Sequence, residues 1–289
     1  TLLYRPDVSN DDLFDACRRM AASRKPVPET VPQTPLEAHM ETPLEAGARL
    51  RIGYLSSDFR DHPLGHNVQP LIANHDHERH EIFCYAELST PDDVTREFQN
   101  HADHWRTVKG LNDVGVAKRI RDDGIHVMVY LGGRFDENRP SVAAYRPAPV
   151  QISMYGGATT ALDEMDYWLT DAVLHPDSTT ERFTEELFRL PNFYAWPIPE
   201  DAPPVSVLPA EDNGFITFAS FNKPCKINAA VVDLWSRVLL AVPGSRLMLK
   251  FKNHWECPTL RDKLLGRIEA NGVSRARVDL ISAMDTFHD

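Results

Sequence analysis

The segment RIGYLSSDFRDHPLGH, residues 51–66, decides the fold of this chain. It begins inside an apolar run, Leu50–Leu55, that predicts a buried strand. The run stops at residues 56–58 (SSD), after which a helix through Gln69–Ile72 can form. A strand that leads directly into a helix is typical of a parallel sheet, in which ligands bind beyond the carboxyl ends of the strands.

The alternation of strand and helix continues on both sides of a proline-rich segment, residues 195–209. Before it, we predict strands at 80–86, 126–131, 150–155, 167–169 and 188–191, and a helix at 114–122 that Gly124 ends. After it, we predict strands at 215–219, 247–251 and 278–282, and helices at 228–241 and 260–270. The sequence therefore predicts an α/β protein with two Rossmann-like units.

Composition shifts divide the chain into five predicted segments. A lead-in amphipathic helix, with Leu13, Phe14, Cys17 and Met20 near helical spacing, precedes a proline-rich linker without periodicity. The segments are 1–24 (lead-in helix), 25–48 (linker), 49–195 (N-terminal Rossmann-like domain), 196–212 (proline-rich link) and 213–289 (first part of a C-terminal Rossmann-like domain). We expect the second sheet to continue past the last residue, so that this domain is truncated at its C-terminus.

Charge and composition exclude several classes of protein. The chain has 289 residues, with 31 Lys and Arg against 42 Asp and Glu, which gives a net charge of -11. Such an acidic chain is a poor general binder of nucleic acid, and no window approaches the roughly 20 apolar residues that cross a bilayer. The four cysteines are scattered without a CxxC pair, which argues against a disulfide framework or structural zinc. We expect a cytoplasmic protein without membrane or nucleic-acid partners.

The first candidate site follows the strand in residues 51–66. It contains Asp58, His62 and His66, a set suited to proton transfer or to orienting a sugar. The alternative is that both histidines cap or line the start of a helix without chemistry. A metal site is a third interpretation, because His62 and His66 are four residues apart, but no Glu or third His is placed to complete the ligand set.

The second candidate site is the loop FNKPCKIN, residues 221–228. Asn228 can cap the following helix, whose N-terminal amides and dipole favour a phosphate. Lys223 and Lys226 add two cations, and Asn222 stands beside them, so the loop predicts a nucleotide or sugar-phosphate site. It is not a Walker loop. An exposed lysine pair without a ligand is the alternative.

Two glycine pairs and a histidine-rich stretch have simpler interpretations. The pairs Gly132-Gly133 and Gly156-Gly157 follow predicted strands and permit either close backbone approach or tight turns. The stretch HDHERH, residues 75–80, is interpreted as a solvated surface loop.

Five motifs together resemble a known family. RIGYLSSDFRDHPLGH (51–66), DDGIHVMVYLGG (122–133), RPAPVQ (146–151), MDYWLTD (165–171) and FASFNKPCKIN (218–228) follow in the order of the catalytic region of O-GlcNAc transferases. The sequence is similar to bacterial members carried behind tetratricopeptide repeats and to SPINDLY-like protein O-glycosyltransferases. The resemblance runs from about residue 3 to the last residue, and makes the lead-in helix the end of a repeat region.

The resemblance implies an inverting, metal-independent glycosyltransferase of the GT-B type, with no cofactor. It implies UDP-GlcNAc as donor and a Ser or Thr hydroxyl of a protein as acceptor. His62 matches the active-site histidine of the HP motif, Asp58 the aspartate four residues before it, and Lys226 the lysine that contacts the UDP phosphates. Lys223, with Asn222, His66 and Gly156, is assigned to nucleotide-sugar binding.

The sequence also departs from the family's pattern. Asp61 stands where the family often has Asn, Leu64 replaces a Thr, residues 157–162 (GATTAL) replace the usual loop, and Cys17 stands where many relatives have His. Two alternatives therefore remain: a transferase with another nucleotide-sugar, such as glucose or a deoxyhexose, or a non-catalytic scaffold of the same fold. Since the second domain is expected to be truncated, residues 1–289 alone should bind UDP weakly and show no turnover.

Overall fold

The structure, a computed structural model, describes residues 2–23, 47–193 and 202–282. The chain divides into two compact units, with the division close to residue 197.

The larger unit contains a parallel sheet of seven strands in the order β3-β2-β1-β4-β5-β6-β7. Its strands are β1 Leu50–Ser56, β2 His80–Ala86, β3 His104–Thr107, β4 Val127–Leu131, β5 Val150–Met154, β6 Tyr167–Asp171 and β7 Glu186–Leu190. Its helices are α1 Asn10–Ala22, α2 Pro63–Ala73, α3 Asp93–His101 and α4 Asp113–Asp122. The predicted α/β class is confirmed.

The strand order places a crevice beside β1. Strand β1 pairs in parallel with β2 on one side and with β4 on the other. The order of strands reverses between β1 and β4, and in open parallel sheets ligands bind at such a reversal, beyond the carboxyl ends of the strands. The fold therefore brings the loops after β1 and β4 to one place.

Buried apolar side chains cover both faces of this sheet. One cluster contains Tyr85, Met128 and Ile120, and the other contains Ile82, Phe98 and Ile72. All six residues are fully buried. Helix α1 contributes Cys17 and Ala21 to the first cluster. Burial raises the pKa of the Cys17 thiol, so this cysteine packs as an apolar side chain.

The helices begin where their sequences supply caps. Ser9 accepts a hydrogen bond from the Asp12 amide while the Asp12 carboxylate accepts from Ser9, which forms a capping box at the start of α1. Helix α3 and strand β3 were not predicted from the sequence. The helix shows only Val94 and Phe98 at helical spacing. The strand has only four residues, three half-buried and one exposed, so neither produces a strong periodic signal.

The smaller unit is a second parallel α/β unit. Its strands β8 Thr217–Ser220, β9 Arg246–Lys250 and β10 Val278–Ile281 pair in the order β10-β9-β8. Its helices are α5 Pro209–Asn213, α6 Ala229–Ala241 and α7 Pro258–Ala270. Leu247, Leu249 and Ile268 form its buried core with Trp255. Within the described residues, no helix is long and apolar enough to cross a membrane.

The interpretation of residues 75–80 as a solvated loop is wrong for His75. Its Nε2 lies 2.8 Å from the hydroxyl of buried Tyr54, and its ring meets that of His80 edge to face. Burial lowers the pKa of His75, and positive charge on His80 and His77 lowers it further, against the opposing effect of Asp103. The ring therefore stays neutral in the fold at a pH where an exposed histidine takes up a proton.

We expect acid to destabilise the larger unit through His75. The pKa of His75 in the folded state lies below its value of about 6.5 in the unfolded state. The contribution of the neutral ring to stability is therefore fully present above pH 6.5 and is lost as the pH falls below that value. Each pKa unit by which the fold lowers the pKa of His75 corresponds to about 1.4 kcal/mol of unfolding free energy lost at low pH. Urea unfolding at pH 7.5 and 5.5 measures the loss, and His75→Asn should reduce it.

His66→Asn is the matched control, because it removes an imidazole whose side chain is 58% exposed. Equal pH dependence in wild type and His75→Asn would contradict this role for His75.

Candidate active site at the carboxyl edge of the larger sheet

His62 is the residue at which the loop after β1 becomes helix α2. It is the N-cap, with extended backbone, and its Nδ1 accepts a hydrogen bond from the Leu64 amide at 3.2 Å. Pro63 follows at the first helical position, where its missing N–H costs nothing and its fixed φ suits the helix. The HP pair thus begins the helix and fixes the imidazole at the edge of the sheet.

Gly65 lets the loop close tightly against the helix. A Cβ at this position would lie 2.3 Å from the Arg60 carbonyl oxygen and 2.6 Å from that of Asp58. Both neighbours are backbone atoms, which cannot rotate away. The glycine therefore sets the distance between the first turn of α2 and the loop that carries Asp58.

Asp58 is buried and bound on several sides. Its side chain is 1% exposed, and its Oδ2 accepts a hydrogen bond of 2.6 Å from Asn138 Nδ2. Its Oδ1 lies 3.4 Å from Arg60 Nη2 and 3.5 Å from His62 Nδ1. Because a buried carboxyl group needs such partners, these contacts hold the Asp58 side chain in one position behind the histidine.

Asn138 connects the loops after β1 and β4. Its Oδ1 accepts from the Ser57 amide at 2.8 Å and the Ser56 hydroxyl at 3.1 Å, while its Nδ2 donates to Asp58. Asn138 is buried. One amide thereby fixes both the backbone after β1 and the carboxylate that this backbone carries.

Asp136, from the same loop after β4, lies on the outer side of His62. Its Oδ2 is 3.5 Å from His62 Nε2, and its side chain is 48% exposed. The imidazole, 27% exposed, therefore stands between a buried carboxylate and an accessible one.

The three side chains Asp58, His62 and Asp136 also have the spacing of a possible metal site. One ligand atom from each lies within 4.8 Å of the others. This set differs from the predicted pair of His62 and His66, because Asp58 and Asp136 take part in it and His66 does not. However, both oxygens of Asp58 already have partners, and one of these is the cationic guanidinium of Arg60. We therefore do not assign a metal to this cluster.

His66 lies one turn further along α2, on the exposed surface. Its Nε2 contacts Asp61 Oδ1 at 2.9 Å, and the Asp61 amide in turn donates to Asp92 at 2.7 Å. The predicted binding residue His66 is thus close to His62 in the chain but pairs with Asp61 rather than with the carboxylates around His62.

Gly156 lies after β5, against the indole of Trp168. A Cβ on Gly156 would lie 2.6 Å from Trp168 Cη2, so close approach is the reason for a glycine here. The residue lines a cavity of about 220 Å³ together with Tyr155, Trp168, Thr170, His175 and Phe193. Aromatic walls with a few polar groups are typical of a small-ligand site.

A buried carboxylate fixes the loop beside this cavity. Glu185 accepts hydrogen bonds from the Thr160 amide at 2.7 Å and the Thr159 hydroxyl at 2.5 Å. Arg134, from the loop after β4, donates to the Thr159 carbonyl at 2.9 Å. The loops after β4 and β5 are therefore held together by hydrogen bonds within the larger unit.

The second predicted site lies in the smaller unit, between β8 and α6. Residues Pro224–Lys226 form a 3₁₀ turn, and Asn228 caps α6 by accepting from the Val231 amide at 3.0 Å. Asn222, Lys223 and Lys226 are exposed. The lysines thus stand just before a helix N-terminus, where backbone amides and the dipole favour an anion.

The structure brings together the predicted residues Asp58 and His62, and adds Asn138 and Asp136, which the sequence analysis did not single out. Both residues follow strand β4, which the sequence predicts, and this position at the carboxyl end of a strand could have identified them as site residues. Lys223, Lys226 and Asn222 belong to the other unit, so a site shared with His62 stays a prediction.

The profile of the family described as "Glycosyl transferase family 41" matches residues 28–196. A Petunia hybrida protein named "Probable UDP-N-acetylglucosamine--peptide N-acetylglucosaminyltransferase SPINDLY" is 36% identical over 247 residues, which cover 83% of this chain and 26% of that protein. A Caenorhabditis elegans "UDP-N-acetylglucosamine--peptide N-acetylglucosaminyltransferase" is 37% identical over 166 residues, which cover 56% of this chain and 14% of that protein.

A solved structure of an O-GlcNAc transferase from Thermobaculum terrenum, a lysine-to-methionine mutant, superposes with a TM-score of 0.84 at 31% identity. The match covers 99% of this chain and 54% of that one. The chain thus spans about half the length of this structure and about a quarter of the Petunia relative.

Proposed function

Because this chain belongs to glycosyl transferase family 41, we propose that it forms part of a protein O-GlcNAc transferase. The reaction moves GlcNAc from UDP-GlcNAc to a Ser or Thr hydroxyl of a protein. The observation that carries the proposal is the set of Asp58, His62 and Asn138 at the reversal of strand order, in a chain that matches transferases of this name.

The donor phosphates would bind at the start of α6. Departure of UDP develops negative charge on the β-phosphate, and the Lys226 ammonium with the amides of a helix N-terminus can stabilise it without reorganisation. Lys223 adds a second cation in the same loop, and Asn222 a neutral donor. These groups supply the positive charge that other transferases obtain from a divalent cation, which supports a metal-independent reaction.

The acceptor would approach the carboxyl edge of the larger sheet. Asp58 and Asn138 fix the loop there, and His62 presents Nε2 outward beside Asp136. Direct attack of the acceptor oxygen on the anomeric carbon, opposite to the departing phosphate, inverts that carbon. A single displacement needs one base near the acceptor and one cationic site at the leaving group, which are the two sites proposed.

The cavity beside Gly156 suits the sugar of the donor. Its wall is the Trp168 indole, and its polar groups include Thr170 Oγ1, which lies 2.5 Å from His175 Nδ1. Aromatic faces pack against the apolar face of a sugar ring, while hydroxyl and imidazole groups can bond its hydroxyls.

We expect the full-length protein to bind UDP and to transfer labelled GlcNAc from UDP-GlcNAc to protein. Calorimetry measures the first and radiolabel incorporation the second. Lack of binding at about 1 mM UDP, the upper end of ordinary KM values, would contradict the nucleotide site.

The choice of donor decides between the alternatives. UDP-glucose and a nucleotide-linked deoxyhexose, tested in parallel with UDP-GlcNAc, identify a transferase of different specificity. UDP binding with transfer from none of these donors would favour a non-catalytic scaffold.

A further inference from the structure

The four groups Asn138, Asp58, His62 and Asp136 form a row that runs from the core of the larger unit to its surface. Asn138 and Asp58 are joined at 2.6 Å, Asp58 approaches His62 Nδ1 at 3.5 Å, and His62 Nε2 approaches Asp136 at 3.5 Å. The first and last members come from one loop, residues 132–138. A proton acceptor for the proposed reaction should be found among the three ionisable members.

The cap of α2 fixes where His62 carries its proton. Nδ1 accepts a hydrogen bond from the Leu64 amide at 3.2 Å, so its lone pair is occupied and it carries no proton in the neutral ring. The proton of neutral His62 is then on Nε2, the atom that faces Asp136. An Nε2–H group donates a hydrogen bond and has no lone pair with which to accept a proton from a substrate.

Asp58 is unsuited to take up a proton from a bound substrate. Its side chain is 1% exposed, and Asn138 and Arg60 occupy its oxygens. Asp136 differs in each respect, because its carboxylate is 48% exposed and, among the residues that the structure describes, His62 Nε2 is the one donor recorded beside it. It is therefore the accessible base of the row.

The backbone holds Asp136 in place. Its φ of 51° lies in the left-handed region, which residues other than glycine adopt infrequently and which is concentrated at functional sites. Turn hydrogen bonds of 3.1 Å from Phe135 to the Gly132 carbonyl and from Asn138 to the Phe135 carbonyl fix the loop on both sides. In this backbone conformation the Asp136 carboxylate lies 3.5 Å from His62 Nε2.

We propose that the carboxylate of Asp136, rather than His62, is the base that takes the proton of the acceptor hydroxyl. This inference rests on the proposed glycosyl transfer. The hydroxyl oxygen bonds to the anomeric carbon, the bond from that carbon to the β-phosphate oxygen breaks with its electron pair leaving on UDP, and the hydroxyl proton passes to an Asp136 oxygen. The Nε2–H of His62, 3.5 Å from Asp136 Oδ2, faces the same carboxylate and favours its position beside the imidazole.

The test compares Asp136→Asn and Asp136→Ala with wild type in the full-length protein, using UDP-GlcNAc and a protein acceptor. Loss of a general base should lower kcat about 100- to 10,000-fold. UDP affinity should stay unchanged. The low-pH limb of the kcat profile should disappear in Asp136→Asn, and added formate should restore part of the turnover of Asp136→Ala, because it replaces the missing carboxylate.

Glu137→Gln is the matched control. This carboxylate is next in the loop but faces Lys109, whose ammonium donates a 2.6 Å hydrogen bond to it and holds its pKa below the usual range. Its substitution should leave kcat within about twofold.

The inference would be overturned if Asp136→Asn kept the wild-type kcat, or if formate restored no turnover to Asp136→Ala. In either case, turnover by the wild-type protein would still support the proposed function. A wild-type protein that transfers no sugar from any donor would overturn both.

Discussion

Lys226→Met is expected to lower the turnover of the full-length transferase about 100- to 1,000-fold, the loss seen when a group that stabilises developing negative charge is removed. The substitution keeps the length of the side chain and removes its charge. Lys226 ends the 3₁₀ turn before the capped start of α6, so its ammonium and the helix amides can act on the same phosphate. Steady-state kinetics with UDP-GlcNAc measure the effect as a change in kcat.

Two further variants separate charge at the leaving group from general attraction of an anion. Lys226→Arg keeps the charge and should retain part of the turnover. Lys263→Met removes an exposed lysine on α7 and should change kcat by about twofold at most. Normal turnover in Lys226→Met would refute the leaving-group role, whatever the effect on UDP affinity.

The sequence predicted the elements that carry the site because their signals are local. The apolar run of β1 and the HP pair that starts α2 each stand in one short segment, and the rule for parallel sheets places Asp58 and His62 at the carboxyl edge. The prediction that His62 caps a helix and the prediction that it belongs to a site are both consistent with its contacts, since one nitrogen caps and the other faces Asp136.

The partners of these residues could not be predicted in the same way. Asn138 stands 80 residues after Asp58, and the two meet only because β4 pairs with β1. Strand order is a property of the tertiary fold, which a linear pattern of apolar residues does not encode. The same limit applies to the burial of His75, which depends on Tyr54 in β1 rather than on its own polar neighbours.

Gly65→Ala should impair both stability and turnover, although it adds only one methyl group. The new Cβ would lie 2.3 Å from the Arg60 carbonyl oxygen and 2.6 Å from the Asp58 carbonyl oxygen, so α2 and the loop must move apart. Overpacking of this kind costs about 1–3 kcal/mol. Because His62 is the N-cap of α2, the imidazole shifts with the helix, and a displacement of about 1 Å lowers kcat about 100-fold.

Gly266→Ala provides the matched control for this prediction, since it also places a methyl group on a helical glycine. A Cβ on Gly266, within α7, would meet nothing within 4 Å. There the substitution should raise the unfolding free energy by about 0.4–1 kcal/mol, because it restricts the unfolded chain without strain. Urea unfolding and kcat for both variants test the argument, and equal effects at the two positions would contradict it, because the close contact at Gly65 is what separates them.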